Sequence, residues 1–225
     1  MTWTVRAAIL LAVVFSAPHA SAQDRSLITL RPANAPRWDA AGQAGWFGAN
    51  KTTIAPDWND WSEAAVFAAS AGYYFTPNFK IEIGAATTTT GEVESLEQIG
   101  GGTFPTFRSR RHRFRSTTVS TVLAYQFLDN AWFHPFVGVG IEARRERVRI
   151  DAQPYFAPLP GGRPGVLIPG PPSEVATTYA ARPLVTVGFK WYVSERVFVR
   201  SDIRSTFSTD RAESAEWRAG FGFDF

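Results

Sequence analysis

The most constraining feature of this chain is the stretch AEWRAGFGFDF, residues 215–225, which alternates without a break. Trp217, Ala219, Phe221, Phe223 and Phe225 fall on one side of it, and Glu216, Arg218 and Asp224 on the other. Side chains of an extended strand point to opposite faces with a period of two, so this is a strand with one aromatic and one charged face. An aromatic face must be covered, either by a protein core or by something else that excludes water.

The opposite end of the chain narrows the choice. MTWTVRAAILLAVVFSAPHASAQ carries Arg6, an apolar run from Ala7 to Phe15, and the small-residue pattern Ala20-Ser21-Ala22 before Gln23. This is the layout of a cleaved secretory signal, expected over residues 1–22. The apolar run is well short of the ~20 residues a helix needs to span a bilayer, and no later stretch is longer. The exported chain is therefore either soluble or crosses a membrane as strands. It has no cysteine, so no disulfide framework supports it. Its formal net charge of +3 is too small to argue for nucleic acid as a partner.

Period-two alternation dominates from about Gly42, and helical periodicity is hard to find. A first hairpin pairs EAAVFAASAGYYF with FKIEIGAATTTT across TPN, placing Phe67, Tyr73, Phe75, Phe79, Ile81 and Ile83 on one face. STTVSTVLAYQFL and FHPFVGVGIEA follow, joined by a tight turn near Asn130. YAARPLVTVGFKWYV, the turn SER, VFVRSDIRSTFS and the terminal strand complete the series. With a stretch around Trp46–Phe47, this gives eight strands. Tight turns at 76–78, 129–131 and 194–196 alternate with longer segments at 51–62, 91–105, 151–174 and 209–214. The expected fold is all-β: an eight-stranded antiparallel up-and-down transmembrane β-barrel over residues 41–225, after a short periplasmic segment at 23–40.

A soluble sandwich or lipocalin-like barrel also alternates, but its charged face looks outward. Here the charged face is diluted with Gly, Ala, Ser and Thr. Tyr73, Phe75, Phe79, Tyr125, Phe127, Phe133, Phe189 and Trp191 gather near strand ends, as in an interfacial aromatic girdle.

These features together resemble the small outer-membrane barrels of the OmpA/OmpX/OmpW-like superfamily, barrel only. NAWFHPFVGVGIEA is similar to the Pro-aromatic-Val-Gly-x-Gly strand of that group. The resemblance implies residence in the bacterial outer membrane after export through the periplasm. It also implies that Phe221, Phe223 and Phe225 act as the signal read by the barrel-assembly machinery. On this reading lipid covers the aromatic face, and the last strand closes the barrel against the first.

If odd positions face lipid, even positions face the lumen. Glu82, Glu142, Arg182, Arg200, Asp202, Arg204, Glu216 and Arg218 then form a lumen charge network, with Lys80, Arg144, Glu146, Lys190 and Asp224 as further lumen candidates. A turn centred near residue 211 would set Arg204 opposite Arg218. An eight-stranded barrel is only wide enough for side chains to fill it, so the mixed charges should pair into a plug. The alternative is porin-like or lateral transport of small, even apolar, molecules. Phe114, Val122, Phe136, Leu184 and Phe198 on even positions keep that open.

The sharpest local feature is RSRRHRFR (108–115) with ARRERVR (143–149). A turn near Asn130 makes these strand partners, with Arg115 opposite Arg145, Arg113 opposite Arg147 and Arg111 opposite Arg149. All six are odd-numbered and so face outward. Tilted strands climb roughly 2.5 Å per residue, so the arginines begin just above the ~25 Å apolar band. Stacked like charges are tolerable if water and salt screen them, as on a solvated basic rim, or if anions bridge them; lipopolysaccharide phosphates are the anions available there and are the expected contact. The Pro- and Gly-rich segment 151–174 exposes Tyr155, Phe156, Leu159, Val166, Leu167 and Ile168, suiting either a partner or packing over the barrel mouth.

Catalysis is not expected. His112 and His134 are the histidines left after signal removal; His134 has no Ser nearby in register, His112 sits among arginines without a carboxylate partner, and no metal-ligand spacing appears. The expected partners are outer-membrane lipid, lipopolysaccharide and the assembly machinery, for a monomer without cofactor, metal or nucleic acid.

Overall fold

A computed structural model describes residues 37–50, 61–99, 106–128, 132–157, 165–208 and 212–225. The signal segment, most of the lead-in, the turn at 129–131 and Leu159 lie outside the described residues. The strands are β1 (Trp38–Asn50), β2 (Trp61–Tyr74), β3 (Phe79–Thr88), β4 (Gly91–Ile99), β5 (Thr106–Gln126) and β6 (Phe133–Ala152), then β7 (Tyr155–Ala157), β8 (Val166–Ile168), β9 (Glu174–Tyr192), β10 (Val197–Phe207) and β11 (Ala212–Asp224). β1 pairs antiparallel with both β2 and β11, and β5 pairs with both β3 and β6, so the sheet closes on itself. β3 and β4 are two halves of one staff, which makes a closed eight-stranded antiparallel barrel. The seam is tied by reciprocal backbone bonds, Trp38 N–H to Phe225 O at 3.1 Å and Phe225 N–H to Trp38 O at 2.9 Å.

Alternation sorts the side chains. Phe67, Ile81, Ile83, Val139, Ile141, Trp217 and Phe221 lie exposed on the outer wall, while polar and charged residues fill the inside. At the end that carries the short turns, aromatic rings follow one another around the rim. Trp38 meets Tyr73 at 4.8 Å, Phe79 meets Tyr125 at 4.9 Å, Tyr125 meets Phe127 at 4.9 Å, and Phe133 meets Phe189 at 5.6 Å. Such a ring suits the headgroup level of a bilayer.

Several expectations are corrected. β1 starts at Trp38, inside the segment read as lead-in, and its odd positions face inward: Asp39, Gln43 and Phe47 are buried. Gly and Ala dominate that strand, so apolarity alone gave no facing; the polar pair Asp39 and Gln43 carried the information.

Residues 91–99, read as loop, are a strand paired with Thr106–Phe114 of β5. Between β3 and β4, Thr89 and Thr90 stand against the single residue Arg115, a β-bulge. Thr89 stays tied to the wall, its N–H donating to Ala65 O at 2.8 Å. One extra residue inverts the facing, so even positions of β4 point outward where even positions of β3 point in. β7 and β8 form a small separate hairpin within the 151–174 segment.

The wall is uneven in height. β5, β6 and β9 run 21, 20 and 19 residues, against 13 for β1 and 11 for β10. Together with β4, the upper parts of these three long strands rise as a four-stranded platform above one side of the mouth.

Candidate functional site: a charge-filled lumen and an arginine face

The lumen is filled by charge in balanced numbers. Among the described residues, six basic side chains (Lys80, Arg144, Lys190, Arg200, Arg204, Arg218) and six acidic ones (Asp39, Glu82, Glu142, Asp202, Glu216, Asp224) are buried. Glu82 is the hub. It accepts a two-pronged bond from Arg200 at 2.6 and 2.9 Å, one from Arg204 at 2.8 Å and one from Lys80 at 2.7 Å. Asp202 accepts from Arg204 at 2.9 Å, from Arg218 at 2.8 Å, and from the Gln43 amide. Nearer the turn end, Asp39 takes bonds from Lys80, Lys190 and the Tyr74 hydroxyl, and Lys190 lies 4.0 Å over the Phe198 ring. Nearer the mouth, Arg144 pairs with Glu142 at 2.6 Å and reaches Ser214 at 2.6 Å.

The last hairpin is shifted by two residues from the expected register. Arg204 faces Glu216, and Arg218 faces Asp202, so opposite charges meet instead of two arginines. The register shifts by one further residue between Thr206 and Phe207, next to the turn. Arg182 stands apart from the network: it is partly exposed and pairs with Glu213 at 2.5 Å. Asp39, Gln43 and Tyr74 also belong to the network, beyond the expected set: Asp39 falls in the segment read as lead-in, Gln43 on a first strand whose facing the sequence leaves open, and Tyr74 between two girdle aromatics.

Above the charges sits an apolar cap of Phe47, Val66, Phe114 and Val148 with Ala49, Ala64 and Ala86. Phe47 and Phe114 meet at 6.3 Å, and the Arg144 guanidinium lies 5.2 Å from the Phe47 ring. Gly91 makes room for this cap: a Cβ there would sit 2.2 Å from the Phe114 ring.

The six odd-numbered arginines of the two basic segments lie on the outward side of the platform, but their partners differ from expectation. Arg115 faces Arg147, Arg113 faces Arg149, and Arg111 faces Asp151. The bulge brings the outward carboxylates of β4 beside them. Arg111 donates to Glu94 at 2.9 and 3.1 Å, and Arg113 to Glu92 at 2.9 Å. Asp151 lies 3.6 Å from Arg113 and accepts from Arg149 at 3.0 Å. Hydrogen bonds from Ser173 and Arg149 hold the Asp151 carboxyl below the usual carboxylate range. Arg115, Arg145 and Arg147 are exposed and have no carboxylate within ion-pair distance among the described residues.

On the inner side of the platform, Arg108 and Arg110 share Glu97 at 2.6 and 2.8 Å, and the Arg108 bond lowers the Glu97 pKa. The β4 pairing also brings Ser95 Oγ within 3.1 Å of His112 Nε2, a contact invisible while 91–99 was read as loop. Burial, and secondarily Arg110, depress the His112 pKa. His112 Nδ1 is buried, and no described residue accepts or donates a hydrogen bond there or stands as the acid that would orient a catalytic imidazole.

Comparison with known proteins fits this architecture. A sequence model of the outer membrane protein beta-barrel domain matches residues 7–225. No curated protein matches the chain. Among solved structures, the neisserial surface protein A is similar at 13% identity and a TM-score of 0.50, over 84% of this chain and 96% of that one. The attachment invasion locus protein of Yersinia pestis follows at 10% identity and 0.49, over 84% and 99%. The N-terminal β-barrel domain of Pseudomonas aeruginosa OprF gives 11% and 0.48, over 85% and 99%. At such identities the likeness is one of fold.

Proposed function

Because the chain belongs to the family of outer membrane protein beta-barrel domains, we propose that it is a closed, non-enzymatic barrel that serves envelope structure and contacts lipopolysaccharide phosphates through its arginine face. The observation that carries this reading is the split between its two charge sets. Inside, six acids and six bases are paired under an apolar cap; outside, arginines stand in a row just above the apolar band. Paired, buried charge fills a lumen, and an eight-stranded barrel has little other space. Guanidinium forks on an outer wall suit phosphate. The apolar residues Val122, Ala124, Phe136 and Leu184 are packed on one another within the lumen, which argues against an apolar passage there.

Two measurements test the reading. The folded protein in a planar bilayer is expected to give no channel steps, and steady conductance would overturn the closed lumen. Replacing Arg111, Arg113, Arg115, Arg145, Arg147 and Arg149 together by Gln is expected to strip the lipopolysaccharide that co-purifies with the protein. Unchanged co-purification would overturn the contact.

A further inference from the structure

We infer that the anion site on the arginine face is its lowest row alone, Arg115, Arg145 and Arg147, and that this row binds the phosphate groups next to the acyl chains directly, with no bridging divalent cation. This rests on the reading of that face as a lipopolysaccharide contact.

The upper row is already neutralised. Glu94, Glu92 and Asp151 hold Arg111, Arg113 and Arg149 at 2.9 to 3.0 Å. An anion approaching them must displace a carboxylate and then sit beside it, against like-charge repulsion. The lower row has no such competitor. Arg115 and Arg147 are direct cross-strand neighbours, and Arg145 lies two residues along the same face. The three therefore sit roughly 5–7 Å apart at their Cβ atoms. Neighbouring outward residues are Thr117, Thr177 and Tyr179, whose hydroxyls add donors and no negative charge.

Height selects the ligand. Counted up β6 from Phe133, an apolar band of ~25 Å ends near Ala143; Arg145 is two residues further, so the free row begins roughly 5 Å above the hydrocarbon. Phosphates at that level are those on the sugar carrying the acyl chains, not those farther out. A divalent cation would need carboxylate ligands here, and the nearby carboxylates are engaged by the upper arginines.

The test compares three variants of the full chain, each checked for folding by heat-dependent gel mobility: the lower three arginines to Gln, the upper three to Gln, and all six to Gln. The probe is diphosphorylated lipid A in phosphatidylcholine vesicles, with dephosphorylated lipid A and inorganic phosphate as controls. The lower-row variant is expected to lose about tenfold or more of bound lipid A and the upper-row variant less than about twofold. Chelation with EDTA is expected to leave wild-type binding unchanged.

Equal losses in the two triple variants would overturn the row assignment while leaving the six-arginine reading intact. Retention in the six-fold variant would overturn both. Loss on chelation would overturn direct contact. Equal binding of inorganic phosphate or dephosphorylated lipid A would overturn the lipid phosphate as ligand. Should the lower-row Gln variant fail to fold, Lys at the same three positions keeps the charge and removes the fork, and is expected to bind lipid A at an intermediate level.

Discussion

Replacing Glu82 by alanine is expected to lower the unfolding free energy of the barrel by about 3–5 kcal/mol, the range found when one partner of a buried ion pair is removed. Glu82 neutralises three cations at once, Lys80, Arg200 and Arg204, all nearly inaccessible to solvent. Without it the lumen holds an excess positive charge, and three buried cations lose a shared acceptor. Gln keeps the volume and one acceptor but not the charge, so it is expected to fall between wild type and alanine. The comparison that makes this informative is Glu94→Ala, which removes an exposed carboxylate from Arg111 and should cost less than about 1 kcal/mol. Urea unfolding of the refolded protein in phospholipid vesicles, followed by tryptophan fluorescence, separates the two. Equal costs would mean that water reaches Glu82 and that the lumen is not sealed.

The second large effect is expected at the cap. Phe114 is almost wholly buried against Phe47, Val66 and Val148, and Phe47 in turn lies against the guanidinium of the Arg144–Glu142 pair. Phe114→Ala removes its packing and leaves a cavity, at a cost of about 3–5 kcal/mol. The cavity also opens a way for water towards Arg144, so channel noise in a planar bilayer should rise in the same variant. Phe107 lies seven residues earlier on the same strand but is exposed, and its removal should change stability by no more than about 0.5 kcal/mol. A cost at Phe114 no greater than at Phe107 would show that the apolar cluster does not hold the mouth closed.

How far these features were legible depends on how much each residue type constrains its own facing. Strands such as FKIEIG and FVGVGIEA declare both faces at once, so their place and facing could be read directly. β1 could not be read that way, since Ala and Gly fit either side of a wall; only Trp46, Asp39 and Gln43 are informative. β4 was hidden because GEVESLEQI has a polar face turned to water and a Gly at its start, which reads as loop until a partner strand is known. Register was the harder quantity. The arginine pairs and the last hairpin were each displaced by two residues, since a turn's centre is fixed by its backbone and not by the strands it joins. Pairing Asp202 with Arg218 instead of Arg204 with Arg218 was the better choice on charge alone, and sequence reasoning could have used it.

The bulge at Thr89–Thr90 is slack in the wall. Thr88 and Gly91 both face inward, with two residues between them opposite the single Arg115. Deleting one threonine would leave one residue opposite Arg115, so the alternation becomes regular and Glu92 and Glu94 stay on the outer face beside Arg113 and Arg111. A one-residue deletion further on, within Glu92–Ile99, has no spare residue to take it up and would turn the positions on one side of it to the opposite face. The length of this strand can thus change by one at a single place without redrawing the exposed surface.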